Sequence, residues 1–140
     1  TQFAVFEQFL HEADAKGEPL TADTLDDVYG QINQHYYGDS VEPGGDIALY
    51  WSRIPHFYYN FYVYQYATGF AAATALANKV VHGTPAERDA YLGFLKAGSS
   101  DYPTEIMKRA GVDMTKPDYL EDAFKTFEKR LNEFESLIEK

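Results

Sequence analysis

Four side chains in one short run could do chemistry together. In the run from Ile54 to Gly69, His56, Tyr59, Tyr62 (beside Val63) and Tyr66 follow helical spacing. A helix there would present one imidazole and three phenols on a single face. A buried face usually carries Phe or Leu, because each buried hydroxyl needs a partner or costs ~1–3 kcal/mol. Several phenols aimed one way can instead donate hydrogen bonds to a developing oxyanion. The plainer reading of the same residues is a tyrosine-rich packing interface whose hydroxyls point to water. Between Tyr50 and Phe70, 10 of 21 positions are aromatic.

No other set of residues competes with this one. His11-Glu12-Ala13-Asp14-Ala15 begins like the zinc motif H-E-x-x-H, but position 15 is alanine. The motif needs two His one helical turn apart, so that both imidazoles reach one metal. His11 therefore reads as a surface residue. The four histidines, His11, His35, His56 and His82, include no pair four residues apart. There is no G-x-S-x-G and no phosphate-cradling glycine pattern, and Gly44-Gly45 is only a loop signal. The absence of cysteine excludes a thiolate zinc site, a disulfide scaffold and a cysteine nucleophile.

The elements that must position the tyrosines read as helix and loop throughout. Phe3, Phe6, Phe9/Leu10 and Ala13 recur at helical spacing up to Gly17. Thr21 is a candidate N-cap for a second helix, with Leu25, Val28 and Ile32 on its apolar stripe and Gly38 as its stop. Asp39–Asp46 reads as a loop, Ile47–Arg53 as a short helix, and Ile54-Pro55 as a break. A long helix is expected from about Tyr58 to Val81, its second half rich in alanine. Thr84-Pro85-Ala86-Glu87 is a capping box that opens a helix ending near Gly98. A short helix follows from Pro103 to about Ala110. The last helix starts at Pro117, with Leu120, Ala123/Phe124, Phe127, Leu131, Phe134 and Leu137/Ile138 on one face. No strand alternation, repeat or low-complexity tract is present, so residues 1–140 read as one all-α region, a helical bundle.

Charge narrows the partners. The formal net charge of −10 argues against nucleic acid and anionic membrane, both of which require clustered Lys and Arg. The acids concentrate early: residues 1–52 carry 10 acids and 1 base. Between Arg53 and Lys79 lie 25 residues without a formal charge. Asn60, Gln65, Thr68, Thr74, Asn78 and five tyrosines make that stretch too polar for a membrane span. No basic start with a following apolar stretch marks a signal peptide.

The run Arg53–Gly69 closely resembles the C-terminal region of oligoendopeptidase F, zinc metallopeptidases of the thimet oligopeptidase group. Gly17–Ala22, Tyr91–Pro103 and Ala110–Met114 extend the similarity to essentially the whole chain. The resemblance implies a cytoplasmic, all-helical, zincin-type oligopeptidase whose two halves enclose a channel admitting only short peptides. In that family zinc is held by H-E-x-x-H and a Glu from the following helix, and the motif Glu activates the metal-bound water. A His and tyrosines farther along the chain hydrogen-bond the peptide and the oxyanion. By position these correspond to His56, Tyr59 and Tyr66 as catalytic residues, with His56, Tyr59, Tyr62 and Tyr64 binding substrate.

This chain departs from the family in one respect. It contains neither H-E-x-x-H nor the third-ligand segment, and it begins at Thr1 inside an apparent helix. It is therefore expected to be the C-terminal portion of the catalytic domain, with no zinc ligands of its own, inactive alone and completed by the N-terminal remainder of the enzyme. The tyrosine face and part of the first helix should then be exposed and prone to self-association. The alternative is a non-catalytic helical module that binds a peptide or partner helix through the aromatic face.

Overall fold

The structure is a computed structural model that describes residues 1–39 and 46–138. Every regular element among them is helical: α1 (Gln2–Ala15), α2 (Ala22–Tyr37), 3-10 helices at Ile47–Arg53 and Pro55–Tyr58, α3 (Tyr64–His82), α4 (Pro85–Ala97), α5 (Pro103–Arg109) and α6 (Asp118–Ile138). Most of the loop expected over Asp39–Asp46 lies outside the described residues. No described helix is long and apolar enough to cross a membrane. The chain divides into two compact units, residues 1–67 and 68–140.

In the first unit, α1 stops where the sequence changes chemistry. Gly17 adopts φ 75°, and the amides of Gly17 and Glu18 return to the carbonyls of Asp14 and Ala13. This Schellman closure needs a left-handed residue, which glycine supplies without a Cβ penalty. Thr21 then caps α2, its hydroxyl accepting from the Thr24 amide at 3.2 Å. The apolar faces of both helices meet around Phe6, Leu25 and Tyr29, joined by Phe9, Leu10, Val28, Ile32, Trp51 and Phe57. Phe6 has no exposed surface and stands edge-on to Tyr29 and Phe57, with ring centroids 5.1 and 5.2 Å away. The Trp51 indole donates to Asp26 Oδ1 at 2.7 Å, so the 3-10 helix is tied to α2 by a side-chain bond as well as by packing.

The second unit is built on small residues. Ala71, Ala72, Ala75 and Leu76 of α3 pack with Ala110, Val112 and Tyr119, flanked by Tyr91, Phe94, Met107 and Met114. Alanine allows this close approach because it has little side chain to displace. The capping box of α4 is complete: Thr84 accepts from the Glu87 amide and Glu87 accepts from the Thr84 amide. Glu87 also pairs with Lys79 at 3.2 Å. Only the start of α6 is covered, at Tyr119, Leu120 and Ala123; Phe124, Phe127, Phe134, Leu137 and Ile138 are exposed.

The expected helix from Tyr58 requires correction. Pro55–Tyr58 forms a 3-10 helix, residues 59–63 leave helical geometry, and α3 begins only at Tyr64. Asn60 and Phe61 sit at φ 47° and 56°. Left-handed backbone cannot continue an α-helix, and Asn tolerates it better than most residues.

Candidate functional site

The interrupted backbone brings together four of the five residues singled out in the sequence, by a route other than a continuous helix. Ile54 and Val63 are buried at either end of the segment, and Phe57 packs edge-on against Phe3 and Phe6. With those three side chains turned inward, His56, Tyr59 and Tyr62 turn outward, and the first turn of α3 adds Tyr66. The Tyr62 ring centroid lies 5.7 Å from His56, 5.9 Å from Tyr59 and 5.8 Å from Tyr66. His56 is stacked on Tyr62 and edge-on to Tyr59 and Tyr66, at 6.2 and 5.8 Å. These are ordinary aromatic packing distances, each adding directional preference to the cluster.

The cluster is open to solvent. Tyr59 is 60% exposed, Tyr66 59% and Tyr62 38%. The phenols of Tyr62 and Tyr66 are hydrogen-bonded, and this bond, helped by partial desolvation and by the neighbouring phenol's charge, raises the Tyr66 pKa above its ordinary 10.0. Tyr66 therefore holds its proton more firmly than a free phenol. Tyr64 opens α3 two positions before Tyr66, which places it on the other side of that helix.

Two residues that the sequence reading did not assign to the site hold the loop from below. Glu7 of α1 is 2% exposed, yet its carboxylate accepts from the Tyr62 amide at 3.2 Å and the Val63 amide at 3.4 Å. His11, one turn along α1, is not a bare surface residue: its ring stacks on Phe61 at 3.7 Å and 19°. A signal for Glu7 was available. It falls four residues after Phe3 and three before Leu10, an acid on the apolar stripe of the first helix.

Among the described residues, no group of three or more His, Asp or Glu side chains is placed to hold a metal ion. The described side chains therefore do not fit a zinc centre. The chemistry they offer is that of neutral phenols and an imidazole.

Residues 1–126 match the model of peptidase family M3. The chain belongs to that family. The chromosomal oligoendopeptidase F of Lactococcus lactis subsp. cremoris is 58% identical over 140 residues, covering 100% of this chain and 23% of that protein. The oligopeptidase PepF of Bacillus subtilis (strain 168) is 52% identical over 141 residues, 100% of this chain and 21% of the relative. A crystal structure of oligoendopeptidase-F from Enterococcus faecium superimposes with a TM-score of 0.92 at 58% identity, covering 99% of this chain and 26% of that one. This M3 chain thus spans about a quarter of the length of the relatives it matches.

Proposed function

We propose that this chain supplies the substrate-facing wall of a zinc oligopeptidase that hydrolyses short peptides. His56, Tyr59 and Tyr66 act there as donors to the peptide and the tetrahedral oxyanion, and His56, Tyr59 and Tyr62 bind substrate; Tyr64, on the other side of α3, is not supported by this cluster. Membership of peptidase family M3 supports the reaction class. The single observation that supports the residues is the open ring cluster of His56, Tyr59, Tyr62 and Tyr66.

Negative charge develops on the scissile carbonyl oxygen as it becomes tetrahedral. Donors already aimed at that position stabilise it without reorganising at the moment of reaction. Neutral phenols suit the task, since they donate without carrying a charge that must first be desolvated. Zinc and the groups that hold it belong in this reading to the N-terminal remainder of the same enzyme. That remainder would also cover the exposed apolar face of α6, because exposed patches of this kind usually meet a partner. The chain alone is expected to hydrolyse nothing.

Tyr66→Phe in the complete enzyme tests the assignment. Loss of one oxyanion donor should lower kcat by roughly 100- to 1000-fold while KM changes little. An unchanged kcat would remove Tyr66 from the reaction.

A further inference from the structure

We propose that Glu7 and His11 are positioning residues, a two-point grip from α1 that fixes the Tyr59–Val63 loop and with it the tyrosine cluster; the proposal rests on the functional reading above. They stand one helical turn apart and so share a face. Glu7 takes the amides of Tyr62 and Val63, and His11 takes the ring of Phe61. Three consecutive residues of the loop are thereby held by one face of one helix.

Ordinary fold maintenance accounts poorly for this arrangement. A buried charged side chain is costly unless its oxygens are satisfied. The amides at the start of α3 provide that satisfaction, assisted by the positive end of the helix dipole. A helix start needs no such device: Thr21 and Thr84 cap α2 and α4 from within their own first turns. The residue before α3 is Val63, which has no side-chain acceptor, and the acceptor comes from a helix 56 positions upstream. The backbone it grips is also strained. Phe61 holds φ 56° while 48% exposed, so burial in a core does not account for its conformation; the His11 stack does. The bonded amide of Tyr62 belongs to a ring that meets all three others of the cluster. Releasing it would let that ring drift from His56, Tyr59 and Tyr66 together.

The test uses the complete enzyme that carries this chain. Glu7→Gln keeps the side-chain volume but turns an amide donor toward a backbone N–H. It should lower kcat by roughly 10- to 100-fold, since a displacement of about 1 Å can cost 100-fold, and raise KM as the substrate-binding Tyr62 shifts. Hydrogen exchange should speed up in the peptide spanning 59–66 and stay unchanged around Phe6 and Tyr29. His11→Ala should act in the same direction more weakly, and His11→Phe, which keeps the stack, should restore kcat. This pair carries the test if Glu7→Gln fails to fold. Unchanged exchange over 59–66, or faster exchange with an unchanged kcat while Tyr66→Phe is impaired, overturns the grip. An unimpaired Tyr66→Phe overturns the functional reading instead, and the exchange measurement still decides whether Glu7 and His11 hold the loop.

Discussion

Residues 1–67 close one helix start through a partner far away in the chain, whereas the capped helix start in residues 68–138 is closed by its neighbours. The contrast is sharpest at two helix N-termini. The start of α4 is closed by Thr84 and Glu87, three residues apart. The start of α3 is closed by Glu7, 55 and 56 residues from the amides it accepts. A local cap makes a helix and nothing more. A distant cap makes the helix conditional on another element, which suits a loop whose side chains must sit in fixed relation to one another. The first unit also contains the strained Asn60 and Phe61, and the second unit has no described non-glycine residue at positive φ.

The largest stability effect that probes this contrast is Phe6→Ala. Phe6 is fully buried and touches the rings of Tyr29, Trp51 and Phe57. Removing it should cost ~3–5 kcal/mol, as aromatic truncations in cores do. Trp51 is the only tryptophan and lies against Phe6, so its fluorescence reads the loss directly. Because Phe57 also rests on Phe6, the 3-10 turn bearing His56 should loosen at the same time. A loss of stability below ~1 kcal/mol would mean that the first unit does not depend on this aromatic core.

Thr84→Ala asks the converse question in the second unit. It removes one half of a local capping box and should cost ~1 kcal/mol, with Thr84→Ser close to neutral. Faster amide exchange should appear in the first turn of α4 and fade along that helix. A disturbance reaching the Ala71–Leu76 core would show that this cap is not local in effect.

What could be read from the sequence follows the difference between local and distant partners. Caps, glycine stops and proline starts are local signals, and α1, α2, α4, α5 and α6 all lie within a residue or two of where those signals put them. The break between Tyr58 and Tyr64 was hidden because helical spacing of His56, Tyr59, Tyr62 and Tyr66 is satisfied just as well by a loop that folds the rings onto one another. Asn60 was the one local hint of a left-handed residue. Glu7 was visible as an acid on an apolar stripe, but nothing in its own neighbourhood names the amides 55 residues away. The tyrosines themselves stood out by composition; how their rings meet one another and His56 is set by the loop, not by the spacing.

The smallest effects should separate the two units by pH. In the second unit, three carboxylates are held below their ordinary values. Glu87 falls below 4.5 chiefly through the Thr84 amide and then Lys79; Asp101 falls below 3.8 through Arg109 and the Tyr102 amide; Asp113 does so through the hydroxyl and amide of Thr115. Each binds its proton less readily folded than unfolded. Their stabilisation is therefore present above the unfolded pKa and is lost as pH falls through the folded one. In the first unit the sign reverses. Burial, then the nearby Tyr37, raises Tyr29 above 10.0, with Arg53 opposing. The unfolded chain releases that proton first, so stability is present below pH 10 and declines above it. Acid should thus disturb exchange at the start of α4 before it shifts Trp51 fluorescence, and alkali should do the opposite. Glu87→Gln should flatten part of the acid limb and Tyr29→Phe part of the alkaline limb. An alkaline limb that survives Tyr29→Phe intact would place its origin in other groups and leave burial of Tyr29 without consequence for pH.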